Sequence, residues 1–185
     1  VTPLVVAITG ASGAIYGIEA LKALKAAGVE THLVLSHAAL QTIKLETEVS
    51  PDAVRALAVK VYDEDDIAAA ISSGSFKTRG MLVAPCSIKT LSGIANSYAD
   101  KLIVRAADVS LKERRPLVLM VRETPLHKGH LDLMLRATEM GAIILPPMAA
   151  FYHRPQTVLD IVHQSVGKAL DLLGVEHDLL KRWGS

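Results

Sequence analysis

Near its start the chain runs Val5-Val6-Ala7-Ile8-Thr9-Gly10-Ala11-Ser12-Gly13-Ala14-Ile15-Tyr16-Gly17. An apolar, β-branched run passes through glycines into residues with helical periodicity. That order predicts a buried strand, a tight turn and the first helix of a βαβ unit. Gly10 and Gly13 let backbone N–H groups approach an anion, and the helix N-terminus adds the positive end of its dipole. Ser12 lies between them, its hydroxyl toward whatever binds. The same turn can also serve helix–sheet packing alone, so a phosphate-bearing ligand is one of two readings. The spacing is not G-x-G-x-x-G, and no Gly-Lys-Ser/Thr follows. A dinucleotide fingerprint and a nucleoside-triphosphate loop are both disfavoured.

Four further strands are predicted: Thr31–Leu35, 81–84, Leu117–Val121 and 142–145. Between them lie helical patterns. The first puts Ile15, Ile18, Leu21 and Leu24 inward, Lys22 and Lys25 outward, and ends at Gly28. Ser36 caps a helix carrying Leu40, Ile43 and Glu46, and Ser50-Pro51 opens another. Helices are expected over 91–97, 102–115, 130–140 and 157–173, the last stopped by Gly174. Asp63-Glu64-Asp65-Asp66 precedes Ile67-Ala-Ala-Ala-Ile71 and reads as the solvated first turn of a helix, not as a magnesium cluster. No hairpin, repeat or linker interrupts the series. The expectation is one α/β domain over 1–185, Rossmann-like or flavodoxin-like. Its mostly parallel sheet is covered by helices on both faces, and 175–185 form a tail.

Composition agrees with that architecture. Half of the 185 residues are hydrophobic but few are aromatic, so Val, Ile, Leu and Ala must build the core. Twenty Lys and Arg against nineteen Asp and Glu give no basic surface for nucleic acid. No apolar run is long enough for a bilayer, and the start lacks the pattern of a signal peptide. A single cysteine, Cys86, allows no internal disulfide and fits a reducing cytoplasm. Cys86 reads as a small buried residue, not a nucleophile. The positive mean hydropathy points to apolar surface buried between copies of the chain.

In such sheets ligands bind beyond the carboxyl ends of the strands. Ser12, Ser36, Cys86-Ser87, Lys89-Thr90, Arg122-Glu123 and Tyr152 are expected there. Hydroxyls, a guanidinium, a carboxylate and a phenol suit a phosphorylated ligand with a polar ring system. A metal site is not expected, because the histidines are scattered and the cysteine stands alone.

Three longer motifs are more specific: Arg105-Ala-Ala-Asp-Val-Ser-Leu-Lys112-Glu-Arg-Arg-Pro, Arg122-Glu-Thr-Pro-Leu, and Leu145-Pro-Pro-Met-Ala-Ala-Phe-Tyr152-His-Arg-Pro. With them the chain closely resembles the UbiX-type flavin prenyltransferases, from the first strand to Trp183. The resemblance implies transfer of a dimethylallyl group from dimethylallyl monophosphate to reduced FMN, without a metal. The prenylated FMN would serve a UbiD-type decarboxylase, often in ubiquinone biosynthesis. It implies a cytoplasmic homododecamer.

Position by position, the resemblance implies FMN contacts from Gly10, Ala11 and Ser12, from Ser36, from Ser87, Ile88, Lys89 and Thr90, and from Arg122. It gives the prenyl phosphate to Lys112, Arg122, Tyr152 and Lys168. Ser12 and Glu46 become the pair handling protons at the flavin nitrogen, Glu123 the carboxylate beside the departing phosphate, and Trp183 an aromatic wall. The chemistry is coherent. Breaking an allylic C–O bond builds negative charge on phosphate, which cations stabilise, and positive charge on carbon, which aromatic faces stabilise. Taken as residues alone, Glu46 reads as an exposed helix charge, and Lys112 as part of a solvated helix end. Arg105 reads as a partner for Asp108.

Three positions depart from the family pattern. Lys168 stands where arginine is usual, Ala149 where proline is frequent, and Lys128 where an apolar residue is typical. Two rival functions share the sheet: an FMN-dependent cysteine decarboxylase, for which His37 would be the catalytic histidine, and a non-catalytic flavin carrier.

Overall fold

The computed structural model describes residues 2–180 and Arg182. Six strands form one sheet: β1 (Leu4–Ile8), β2 (Thr31–Leu35), β3 (Lys60–Asp63), β4 (Met81–Cys86), β5 (Leu117–Val121) and β6 (Ile143–Ile144). Seven helices connect and follow them: α1 (Ala14–Ala26), α2 (His37–Glu46), α3 (Pro51–Arg55), α4 (Ile88–Ala95), α5 (Leu102–Lys112), α6 (Lys128–Glu139) and α7 (Val158–Leu172). The strand order is β3-β2-β1-β4-β5-β6 and every pairing is parallel. This is the order of Rossmann sheets, with the switch point between β1 and β4.

Alternation along the strands divides the core. Leu4, Val6 and Ile8 of β1 face one layer with Ile18, Leu21 and Leu24 of α1 and Val166 and Leu170 of α7. Val5 and Ala7 face the other, with Leu91 and Ile94 of α4, Leu102 and Ala107 of α5 and Ala137 of α6. Both faces being covered, all five residues of β1, β2 and β5 are buried, which is why β1 and β5 read as unbroken apolar runs, while β2 also buries Thr31 and His32. At Gly17 a Cβ would stand 2.3 Å from the Ala84 carbonyl oxygen and 2.6 Å from Ile8 Cγ1. Glycine there lets α1 lie directly on β1 and β4, and so sets where the helix N-terminus meets the sheet.

Two expectations need correction. The sheet has a sixth strand, β3, which pairs with β2 through Leu33 and Val61. Its sequence, Lys-Val-Tyr-Asp, has exposed ends and half-buried centres, as a short edge strand does. No helix follows the acidic run either. Residues 64–69 are turns, and only Ala70–Ser72 form a 3-10 turn. The caps at Ser36 and Ser50 are as expected: their hydroxyls accept from Ala39 N at 3.0 Å and Ala53 N at 3.1 Å. No described helix is long and apolar enough to cross a membrane.

Candidate functional site

Beyond the carboxyl ends of β1, β2, β4 and β5 opens a cleft of about 1090 Å³. Gly10 and Ala11 line it from the first turn, Ser36 from the end of β2, Ser87, Ile88, Lys89 and Thr90 from the start of α4, and Arg122 and Glu123 from the end of β5. The sequence-derived flavin residues therefore converge, with the exception of Ser12. Cys86 lies beneath the cleft, fully buried, and burial pushes its thiol up to about 12. It is inert packing.

Thr9 joins the two strands at the switch point, a role the sequence reading missed. Its buried hydroxyl donates to the Pro85 carbonyl at 2.7 Å and accepts from Ser87 N at 2.9 Å. The end of β1 is thereby tied to the N-cap of α4. Thr42 does the same for α2, donating to the Gly10 carbonyl at 2.9 Å. Thr9 sits inside the opening strand–turn stretch and Thr42 in the second helix, and the bonds of both are legible only once the strands are adjacent.

Three helix N-termini point toward this edge, and the chain itself closes two of them. Glu46 Oε2 accepts from Gly13 N at 2.8 Å and Ala14 N at 3.3 Å, occupying the start of α1. Glu64 Oε1 accepts from His37 N at 2.7 Å, occupying the start of α2. The N–H of Gly13 thus serves a carboxylate of the chain, not an external anion. Gly13 has φ 104°, a left-handed conformation that keeps its N–H turned toward Glu46. The α4 N-terminus has only the Ser87 hydroxyl as cap, accepting from Thr90 N at 3.2 Å. With Lys89 and Arg122 beside it, this is where positive potential gathers.

Ser12 is exposed and turned to Glu46 instead of the cleft lining. Burial raises the carboxyl pKa of Glu46. Hydrogen bonds from Ser12, Gly13 and Ala14, together with the charge of Arg122, outweigh it and hold the group below its ordinary range. A carboxylate ionised at neutral pH and joined to a hydroxyl can accept a proton through that hydroxyl. Glu46 is thus far from the free surface charge that its helix position implies.

Of the acidic run only Glu64 lines the cleft; Asp63, Asp65 and Asp66 are exposed and solvated, at the end of β3 and in the turns after it instead of in a helix. Glu64 is 9% exposed and lies 3.0 Å from His37 Nδ1. Asp65 meets Lys101. His37, Asp63 and Asp65 each bring one ligand atom within 4.8 Å of the others. Asp65 meets Lys101, His37 Nδ1 stands at Glu64, and Asp63 accepts from Asp65 N, so each of the three has a partner within the chain.

The remaining candidates lie elsewhere. Lys112 closes α5 shortly before β5 begins, at the amino edge of the sheet, and pairs with Glu113 at 2.5 Å. Arg105 meets Asp108 at 2.9 Å, as its spacing implies, and Arg115 holds the Phe76 and Gly74 carbonyls. Tyr152 is 53% exposed, in the segment between β6 and α7. Lys168 is exposed on α7. The chain by itself does not bring Lys112, Tyr152 or Lys168 to the cleft. Trp183 lies outside the described residues, although the tail before it folds back: Arg182 spans both carboxylate oxygens of Asp171 at 3.1 and 3.0 Å. Of the departures from pattern, Lys128 pairs with Asp132 on the exposed face of α6.

A cleft of this volume, with hydroxyl caps and with Lys89, Lys101 and Arg122 in its lining, fits a flavin mononucleotide in size and donor set. Comparison with known proteins agrees. The family model Flavoprotein matches residues 2–169. The flavin prenyltransferase UbiX of Escherichia coli K12 is 59% identical over 183 residues, covering 97% of this chain and 97% of its own. A solved structure of AnUbiX (PadA1), in complex with FMN and dimethylallyl pyrophosphate, superposes with TM-score 0.98 at 51% identity, covering 100% of this chain and 98% of its own. A dodecameric FMN-dependent UbiX-like decarboxylase from E. coli O157:H7 superposes with TM-score 0.96 at 52% identity over all of both chains. From the first strand to the last helix, this chain belongs to the UbiX family of flavin prenyltransferases.

Proposed function

We propose that the protein transfers a dimethylallyl group from dimethylallyl monophosphate to reduced FMN. The observation that carries the reading is the Ser12–Glu46 pair at the first turn, where Glu46 Oε2 accepts from Gly13 N at 2.8 Å next to the Gly10 and Ala11 lining of the cleft. Reduced FMN supplies a nucleophilic nitrogen that must lose a proton. Glu46, acting through the Ser12 hydroxyl, takes that proton. Ser36, Ser87, Thr90 and Lys89 hold the polar parts of the flavin, and Arg122 carries phosphate charge. Glu123 stands beside the departing phosphate, near Arg122. Its Oε1 also accepts from Thr124 N at 2.9 Å, which anchors the side chain.

Lys112, Tyr152 and Lys168 complete the phosphate grip in this reading, and they lie away from their own cleft. A neighbouring copy supplies them in a homo-oligomer, as the dodecameric relative supports. Trp183 then serves as an aromatic wall, and the product passes to a UbiD-type decarboxylase. The single buried thiol suits the cytoplasm. A cysteine decarboxylase is not favoured, because the relative that matches 97% of the chain at 59% identity is a flavin prenyltransferase.

The test is anaerobic incubation with reduced FMN and dimethylallyl monophosphate, then mass analysis of the released flavin. A gain of one prenyl unit is expected, slowed by about 10²–10⁴-fold in Glu46→Gln, the usual scale of general-base catalysis. Flavin returned unchanged by the wild type would overturn the reading.

A further inference from the structure

After α7 the chain reverses at Gly174, whose φ of 65° lets Val175 N donate to the Leu170 carbonyl at 3.0 Å. The reversal lies at the amino edge of the sheet, where Arg79, shortly before β4, donates to the Gly174 carbonyl at 3.1 Å. From there the tail runs back along α7. A Cβ on Gly167 would stand 2.5 Å from Leu180 Cγ and 2.9 Å from His177 Cε1, so tail and helix touch about two turns before the reversal. The tail thus travels toward the carboxyl edge, against the turn of α7 that carries Lys168. One side chain fastens it. Asp171 Oδ1 lies 3.1 Å from His177 Nε2, and the two carboxylate oxygens accept from Arg182 at 3.1 and 3.0 Å. The His177 ring is 3% exposed, and its Nδ1 accepts from Leu179 N at 3.1 Å, which leaves a proton on Nε2 for Asp171. Arg182, with His177, holds the Asp171 carboxyl below its ordinary range against the pull of burial.

We infer that Asp171 is a positioning residue for the aromatic wall of the prenyl pocket. Arg182 immediately precedes Trp183, so whatever fixes Arg182 limits where the next side chain can reach. A two-pronged guanidinium–carboxylate pair fixes orientation as well as distance, which a lysine in its place does not. A chain terminus ordinarily frays. Here a buried imidazole and a forked ion pair converge on one carboxylate and bind the tail to its own helix. The same helix carries Lys168, so the phosphate cation and the tail share one support. The inference rests on the reading that Trp183 lines the prenyl pocket. It adds the group that holds the tail for that task.

The experiment uses Trp183 as its own reporter, because it is the lone tryptophan of the chain. Its emission and its quenching by acrylamide are read on the purified assembly loaded with FMN, beside the kinetics of prenyl transfer. Asp171→Asn removes the charge from the latch. Arg182→Gln removes the fork at a side chain 55% exposed, where the core is not at risk. In both variants the emission is expected to shift to the red and the quenching to rise. Turnover, as kcat, is expected to fall about tenfold, the scale on which an aromatic face stabilises a developing cation, with FMN affinity unchanged. The double variant should lose no more than either single one, and Arg182→Lys, which keeps the charge without the fork, should fall between. Unchanged emission in Arg182→Gln, additive losses of kcat, an exposed Trp183 with wild-type kcat, or an equal loss of FMN affinity would overturn the inference. A wild type that shields Trp183 yet makes no prenylated flavin would overturn the prenyltransferase reading and leave Asp171 as the holder of the tail.

Discussion

Glu46 carries the chain's most local lesson. On its own helix it is an exposed acid near a C-terminus, an unremarkable place for one. Across the turn it caps α1 and meets Ser12, so one carboxylate complements the helix dipole and, in the proposed reaction, stands where a proton would be taken. Gly10 shows the reverse dependence, of a turn on its neighbour. A Cβ at that position would sit 2.4 Å from Ala38 Cβ, an atom fixed to the α2 backbone. Gly10→Ala is therefore expected to destabilise the fold by about 1–3 kcal/mol, as overpacking does. Because α2 must shift to make room, Ser36 and Glu46 move with it. Thermal melting and FMN retention on desalting should both fall; unchanged FMN retention would show that the turn tolerates a side chain.

At the scale of elements, the edge strand β3 owes its place to a buried histidine. His32 of β2 is 7% exposed, its Nδ1 is 3.0 Å from the Tyr62 hydroxyl of β3, and its ring stacks on Phe76 at 5.5 Å. Burial lowers its pKa, more than the nearby Glu30 raises it. The unfolded chain thus binds a proton below about pH 6.5 that the folded chain resists. This contribution to stability is complete above that pH and declines as pH falls through the window down to the lowered folded value. Melting temperature should drop over that window, and His32→Gln should flatten the drop. A slope identical in both proteins would remove His32 from the account. Within one layer, α7 meets α1 through the buried Glu19, paired to Lys22 at 2.7 Å and 2.9 Å from His163.

For the whole molecule, the informative surface is apolar. Leu131 and Leu135 of α6 and Met148, Phe151, Tyr152 and Leu159 around the β6–α7 segment are all at least 43% exposed. A single chain rarely shows so much clustered apolar surface to water. The same segment carries Tyr152, so association and catalysis are expected to depend on each other. Phe151→Asp should lower the mass measured by light scattering below that of the wild-type assembly. It should also reduce prenyl transfer by at least tenfold, while the FMN cleft of each chain, built from other elements, keeps its shape. A smaller species with full activity would show that one chain suffices.

Most of the architecture was written in local sequence. Fully buried parallel strands demand unbroken apolar runs, and glycines and caps mark where they turn, so β1, β2, β4 and β5, their connecting helices and the carboxyl-edge residues could be read in order. The longer motifs around Lys112, Arg122 and Tyr152 carried the family. What tertiary structure alone decided were matters of approach between distant segments. β3 exists as a strand because β2 pairs with it, since its own residues are too polar and too few. Thr9 and Glu64 become parts of the cleft because parallel pairing gathers strand ends. Gln164 meets Tyr152 because α7 returns against the segment that precedes it. Periodicity along a chain records which face is buried; it does not record which polar groups meet across the gap, because those contacts depend on crossings between elements far apart in sequence.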